Sequence, residues 1–276
     1  MIKRLLANRT SVVCLFVLIV VSLMGAFAPF LAPHDPNLAD VINSLMPMSL
    51  EYPLGTDHLG RCIYSRLLFG IRTTLYYSLL TMVVTAFVGA LIGIFSGYCR
   101  GKVDALIQRA CEVMLSFPYE IIVLSIVGMM GPGITNIIVA NFIAKLAWYV
   151  RIVRSSVISF NHQNYILYSR TVKTPQRFIF AKHIAPNIAA EVMILATLDL
   201  GWIILSISTL SFLGLGVQPP TPEWGAMLSD AKEVLFSYPE QMIIPGVAIM
   251  LVVACANLLG DSLRDMFDPI AEKKPC

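Results

Sequence analysis

The chain has 276 residues, of which 57% are hydrophobic and only 13% charged, with a net charge of +3. Soluble domains carry about 25% charged residues, so this composition excludes an ordinary soluble enzyme. The small positive charge calls for no nucleic-acid partner. The apolar excess lies in six stretches, near residues 11–32, 74–98, 113–130, 134–150, 188–216 and 242–260. Each approaches or exceeds the ~17–25 residues that cross a ~30 Å hydrocarbon core as a helix. Backbone polar groups in lipid must bond internally, and no period-two barrel pattern is present. The sequence therefore predicts an all-α integral membrane protein of six transmembrane helices: an N-terminal anchor helix and a five-helix core.

In chain order, residues 1–32 form a cytoplasmic N-terminus and the anchor. Lys3, Arg4 and Arg9 precede an apolar run from Ser11 to Ala32. That run exceeds a signal-peptide core of ~7–15 residues and lacks a small-residue cleavage site, so it reads as a retained helix. Residues 33–73 form an extracytoplasmic segment, broken by Pro33, Pro36, Pro47 and Pro53 and more helix-like from Leu59 onward. Within it, Gly55 and Gly60 permit turns in GTDHLGR. Asp57 and Arg61 are spaced to pair across one helical turn. Thr56 completes this stretch, which reads first as a structural clamp and second as part of cargo passage or receptor docking. His58 and Cys62 are four apart, so a helix would place both on one face as soft-metal ligands. Two ligands at one spacing are a weak metal signal.

The remaining 74–276 form the core. Pro118 is expected to open or kink the third span. Gly131–Gly133 makes a tight hairpin into the fourth, and Trp148 and Tyr149 fit an interfacial aromatic belt. Asn141 is suited to bonding across helices. Lys145 and Asp199 each lie about eleven residues into a span, near mid-membrane. Unpaired charges there are costly, so they are expected to pair with each other. That pair either fixes helix packing or lines a polar path. Between the fourth and fifth spans lies YILYSRTVKTPQRFIFAKHIAPN, residues 165–187, within a basic, amphipathic loop of residues 161–187. Tyr165, Ile166 and Tyr168 read as the apolar edge of a short helix, and Arg170, Lys173, Arg177 and Lys182 as its charges. Such helices dock in grooves on partners. A second outer segment, Gln218 to Gln241, holds PPTPEWG.

With both termini inside, the inner segments hold fifteen Lys and Arg and the outer ones four: Arg61, Arg66, Arg72 and Lys232. This positive-inside bias sets the topology, and the inner charge favours contact with anionic membrane lipid. The six cysteines, at 14, 62, 99, 111, 255 and 276, contain no C-x-x-C pair and read as small apolar residues or free thiols. There is no P-loop, G-x-S-x-G or H-E-x-x-H sequence, so an enzyme is not expected.

Three stretches carry a family resemblance. LGTDHLGRCIYSRLLFGIRTTL (54–75), SFLGLGVQPPTPEWGAML (211–228) and GDSLRDMFDP (260–269) resemble, in order and spacing, the motifs of the oligopeptide, dipeptide and nickel permease family of ATP-binding-cassette (ABC) importers. The anchor helix and chain length look like the "C" type of its two paired permeases. The resemblance makes 161–187 the loop that couples to an ATPase, with His183 and Pro186 in its motif. It implies a heterodimer with a second permease, two ABC ATPase subunits and an external solute-binding protein. No cofactor is implied for this chain; ATP and Mg belong to the partners. Two residues depart from the pattern: Cys62 stands where Asp is usual, and Lys173 where Gly is usual. Because Lys tolerates a left-handed turn poorly and Pro175 restrains Thr174, altered local geometry is expected there. LAWYVRIVRSSVIS (146–159) and LATLDLG (195–201) look closest to nickel-type members. Nickel or a metal chelate is thus the expected cargo, small peptides the alternative, and an ion channel or membrane scaffold the reading from another class.

Overall fold

The computed structural model describes residues 8–267, apart from the side chains of Arg170, Gln176 and Phe267. Lys3, Arg4, Lys273, Lys274 and Cys276 lie outside these residues, as do Asp268 and Pro269 of the C-terminal motif. Among the described residues, five helices are long and apolar enough to cross a membrane: Arg9–Ala26, Ile63–Cys99, Ile134–Asn161, Arg177–Phe212 and Glu240–Met266. A sixth crossing is made by Gly101–Leu115 and Tyr119–Met130 if that pair, bent by 86°, is one broken span. The bend falls where expected. Pro118 has no N–H to donate and disfavours a helical Phe117, so the helix stops and restarts.

Helix α1 (Arg9–Ala26) starts at Asn8, whose side chain accepts from the Thr10 N–H at 3.1 Å. Its last carbonyls are met by another helix: Arg72 donates from Nε to Gly25 O at 2.7 Å and from Nη2 to Ala26 O at 2.9 Å. A cation at a helix C-terminus also complements the dipole. After α2 (Ala28–Leu31) the outer segment leads into α3 (Ile63–Ile71), a π turn (Arg72–Tyr76) and α4 (Tyr77–Cys99), one continuous rod of 37 residues. The segment 33–73 therefore ends inside this rod. The helix begins at Ile63, four residues later than the Leu59 onset expected, and residues 57–61 form a turn.

Next come α5 (Gly101–Leu115), α6 (Tyr119–Met130) and α7 (Ile134–Asn161). Helices α4 and α7 pack closely because Gly89, Gly93 and Gly97 recur every fourth residue on one face of α4. A Cβ at Gly93 would lie 2.8 Å from Val150 O, one at Gly97 2.9 Å from Val157 Cβ, and one at Gly89 2.4 Å from Tyr149 Cβ. Small residues at fourfold spacing let backbones approach in a membrane, where dispersion rather than water drives packing.

After α8 (Asn164–Thr171), α9 (Gln176–Ile179) and a second π turn (Phe180–Ile184), α10 (Ala185–Phe212) returns across the bundle beside the last helix, α12 (Glu240–Phe267). Between them the second outer segment turns inward instead of lying on the surface. Trp224 and Glu223 are fully buried, and Trp224 Nε1 donates to Leu67 O at 3.0 Å. Gly225 lies on the Ser208 carbonyl, which a Cβ would approach to 2.1 Å. Glu223 caps α11 (Trp224–Asp230), accepting from Ala226 N at 2.8 Å, and also accepts from Thr74 Oγ1 at 2.9 Å and Ser208 Oγ at 3.2 Å. Burial raises its pKa from the ordinary carboxylate value, against the pull of the Ala226 and Thr74 donors.

The α4–α7 contact gives a direct test. Gly93→Val places methyls inside backbone contact distance and is expected to lower stability by about 1–3 kcal/mol, read as a lower melting temperature of the purified complex in detergent. An unchanged melt would mean that the helices are not so close.

Candidate functional site

Three groups of polar side chains stand out: one inside the bundle and one at each end. The central group joins α7 and α10. Lys145 Nζ lies 2.5 Å from Asp199 Oδ1, and the Tyr149 hydroxyl donates to Asp199 Oδ2 at 3.2 Å. The ammonium also sits 4.9 Å from the Tyr119 ring centre and 5.7 Å from that of Trp148, within cation–π range. Asp199 is buried, while the Lys145 side chain keeps 16% exposure. The pairing foreseen from the two span positions is present. Tyr149 corrects an expectation: it is fully buried and serves this acid, so it does not belong to an interfacial belt. Its hydroxyl gives the carboxylate a second partner, as a buried charge requires. Tyr119, held through its hydroxyl to Asn141, lies 3.2 Å from Ser206 Oγ and so joins α6, α7 and α10.

At one end, the 161–187 loop folds as helix, left-handed turn and helix. Lys173 has φ 57°, so this lysine adopts the conformation ordinarily left to glycine. The helix–turn–helix shape is kept, and the strain of the left-handed turn is borne by Lys173 itself. Ile166 corrects the expected docking edge. It is fully buried with Val153, Val157, Ile179, Ile184 and Ile188, inside this chain's own core. The exposed apolar edge instead comprises Tyr165, Leu167, Tyr168, Val172 and Phe178. His183 lies between two rings of this edge, 5.8 Å from Tyr165 and 6.2 Å from Phe178. Pro186 lies in α10 directly after the π turn Phe180–Ile184. Arg177 and Lys173 are exposed; the Arg170 side chain lies outside the described residues. Beside this loop, Arg154 grips Asp104 with two bonds of 2.5 and 2.6 Å, fastening α5 to α7.

At the other end, Asp57 and Arg61 pair as foreseen, Nε to Oδ2 at 2.6 Å, but across a tight turn and not a helical one. Asp57 Oδ1 accepts from the N–H groups of Leu59 and Arg61, both at 2.9 Å, and Gly60 takes the positive φ of 75°. Gly55 likewise has φ 76°, and Thr56 Oγ1 donates to Asn43 O at 2.6 Å. Arg61 reaches across to Asp230 at 2.8 Å, and Arg66 lies 3.6 Å from it. Two arginines and two aspartates thus tie the first outer segment to the second. This turn also removes the helix on which the His58–Cys62 metal reading relied. Cys62 is buried at the start of α3, and among the described residues no three His, Cys, Asp or Glu gather as a metal site. Sequence reasoning missed Glu223, Arg66 and Asp230. A single acid between Pro222 and Trp224, in so apolar a chain, was the available sign.

Two family models match the chain: the binding-protein-dependent transport system inner membrane component over residues 89–273, and the N-terminal transmembrane domain of oligopeptide transport permease C over residues 1–47. Among similar curated proteins is the metal-staphylopine import system permease CntC of Staphylococcus aureus. It is 39% identical over 273 residues, 99% of this chain and 94% of the relative. The nickel transport system permease NikC of Escherichia coli is 37% identical over 265 residues, 96% of each chain. The dipeptide transport system permease DppC of Alkalihalophilus pseudofirmus is 36% identical over 267 residues, 97% of this chain and 88% of the relative. A solved structure of the MetNI methionine ABC transporter matches with a TM-score of 0.53 at 16% identity, covering 73% of this chain and 98% of that one, a likeness of fold.

The left-handed turn yields a prediction. Lys173→Gly relieves about 1 kcal/mol of backbone strain, so hydrogen exchange of the 164–171 amides is expected to slow about fivefold. Faster exchange would show that glycine's added freedom outweighs the strain.

Proposed function

The chain belongs to the family of binding-protein-dependent transport system inner membrane components and is the transmembrane permease subunit of an ABC importer, and from that premise we propose that its cargo is nickel or, more specifically, a metal–chelate complex. Family membership sets aside an ion channel or a free-standing scaffold. The Lys145–Asp199 pair, with Tyr149 and the rings of Tyr119 and Trp148 around it, supports a cargo bearing both charges, and the metal named for two of the relatives is what favours a chelate over a peptide. A chelate brings carboxylates that an ammonium attracts and a metal or amine that a carboxylate attracts, so cargo can exchange with the pair as it passes. A bare divalent ion would ask for several protein ligands at once. The second reading, a dipeptide, is favoured by the same pair, whose two charges also match a zwitterion, and by the dipeptide relative.

The protein is a multi-pass protein of the cell membrane. We place both termini and the 161–187 loop in the cytoplasm, on the strength of the positive-inside bias. The partners proposed are a second permease as heterodimer, two ATPases that bind ATP and Mg, and an external solute-binding protein. In this reading Tyr165, Tyr168 and Phe178 seat on an ATPase, Ile166 holds the loop to the permease, and closure of the ATPases rocks the spans between outward and inward access. The Asp57–Arg61–Arg66–Asp230 cluster keeps the outer segments in place and takes no part in cargo chemistry.

Two experiments test this. In cells lacking and then regaining this chain, ATP-dependent accumulation of radiolabelled nickel, with and without candidate chelators, is expected to return and to resist a dipeptide competitor. Loss of peptide uptake with unchanged nickel uptake would transfer the assignment to peptides. Separately, the paired variant Lys145→Met with Asp199→Leu leaves no unpaired buried charge. It is expected to assemble normally and to lose uptake tenfold or more. Retained uptake would reduce the pair to a packing device.

A further inference from the structure

Where α4 meets the 161–187 loop, the surface holds a trough of about 340 Å³ lined by Leu91, Ile94, Phe95, Tyr98, Arg177 and Phe180. Leu91, Phe95 and Tyr98 are about half exposed. The trough continues a stripe of exposed apolar side chains up the same helix, Phe87, Val84 and Leu80. From Leu80 to Phe95 this stripe rises about 22 Å, most of one leaflet and part of the next. Its polar end is built where α4 and the loop meet. Arg177 is exposed and forms no ion pair with another described residue, while Tyr98 and Phe180 meet edge to face at 6.4 Å and wall the trough beside it.

We propose that this trough is a binding site for an anionic phospholipid, with an acyl chain along Leu91 and Phe95 and the phosphate on the Arg177 guanidinium. The chemistry is complementary at both ends. An apolar trough open along its length suits an acyl chain and nothing hydrated, and a planar guanidinium is the side chain best shaped for phosphate. Position agrees with chemistry. The guanidinium sits where the membrane helices give way to the polar loop, the depth of a headgroup. Lys173 and Lys182 on the same loop, with Arg100 and Lys102 at the start of α5, add to the positive potential that attracts acidic lipid at about 1 kcal/mol per cation. Because one wall of the trough belongs to α4 and the other to the loop, a bound lipid braces the loop against the bundle. That consequence rests on the loop being the ATPase-coupling segment; the lipid site itself does not.

The test uses the intact transporter extracted from membranes and native mass spectrometry to count retained lipid. The probes are phosphatidylglycerol and, as the zwitterionic comparison, phosphatidylcholine, added to delipidated complex. The expected result is preferential retention of phosphatidylglycerol, reduced about fivefold by Arg177→Gln, reduced also by Leu91→Trp, which fills the trough without changing charge, and unchanged by Arg109→Gln, an exposed residue paired on the surface with Glu112. Millimolar inorganic phosphate is expected to leave retention intact; displacement by it would assign the arginine to a soluble anion instead. Equal retention of both lipids, or undiminished retention in Arg177→Gln, would overturn the proposal. Loss of a permease partner from Leu91→Trp with lipid unchanged would overturn it too, giving the trough to a helix of the second permease. The count is independent of cargo and orientation, so its failure is separable from that of the transport reading.

Discussion

Along one face of the helix 77–99, three glycines present hydrogen where any other residue would present a Cβ, and the helix 134–161 lies against them at backbone distance. The centre of the molecule depends on that approach. Gly89 admits Tyr149, and Tyr149 supplies the hydroxyl that Asp199 needs as its second partner. Asp199 in turn holds Lys145 from the neighbouring helix. A buried carboxylate with one partner would be a liability in a low-dielectric bundle. With two partners and two aromatic rings, a pair of charges is tolerable there.

The two ends of the bundle solve a different problem, that of helix termini and loops whose backbone groups cannot be left bare. At the end that holds residues 33–62 the solution is ionic and buried: Asp57 closes its own turn with backbone N–H groups, pairs with Arg61, and shares Asp230 with Arg61 and Arg66. Arg72 does the same for the last carbonyls of the anchor helix, which explains how a single-span anchor is fixed to a core it precedes. At the end that holds the 161–187 loop the solution is apolar. Ile166 and its isoleucine neighbours bury the loop's inner side, which leaves the outer side, rich in tyrosine and phenylalanine, to face away from the bundle.

Lys173 and Glu223 illustrate local rules broken where tertiary structure demands it. A left-handed lysine is disfavoured by its own Cβ, yet the loop must reverse within a few residues to bury Ile166 and Ile179 together. An acid without water is disfavoured by desolvation, yet Glu223 closes the N-terminus of the helix 224–230 and binds Thr74 and Ser208 on two different helices. In each case the packing of neighbours outweighs the local preference.

By itself, the sequence determined the class, the positions of the long apolar helices, the break at Pro118 and the pairing of Lys145 with Asp199. These follow from constraints that act along the chain or admit one answer: a bilayer needs a fixed length of apolar helix, proline cannot continue one, and two lone mid-membrane charges of opposite sign are each other's natural ionic partner. Tertiary structure alone decided the rest. That Ile166 faces inward while Tyr168 faces out depends on which side of a short helix meets the core, and residues two apart on a helix both read as apolar in sequence. That Tyr149 serves an acid and that PPTPEWG enters the bundle depend on partners 50 and 157 positions away. Such contacts are set by the shape of the assembled helices, and no local period in the sequence records them.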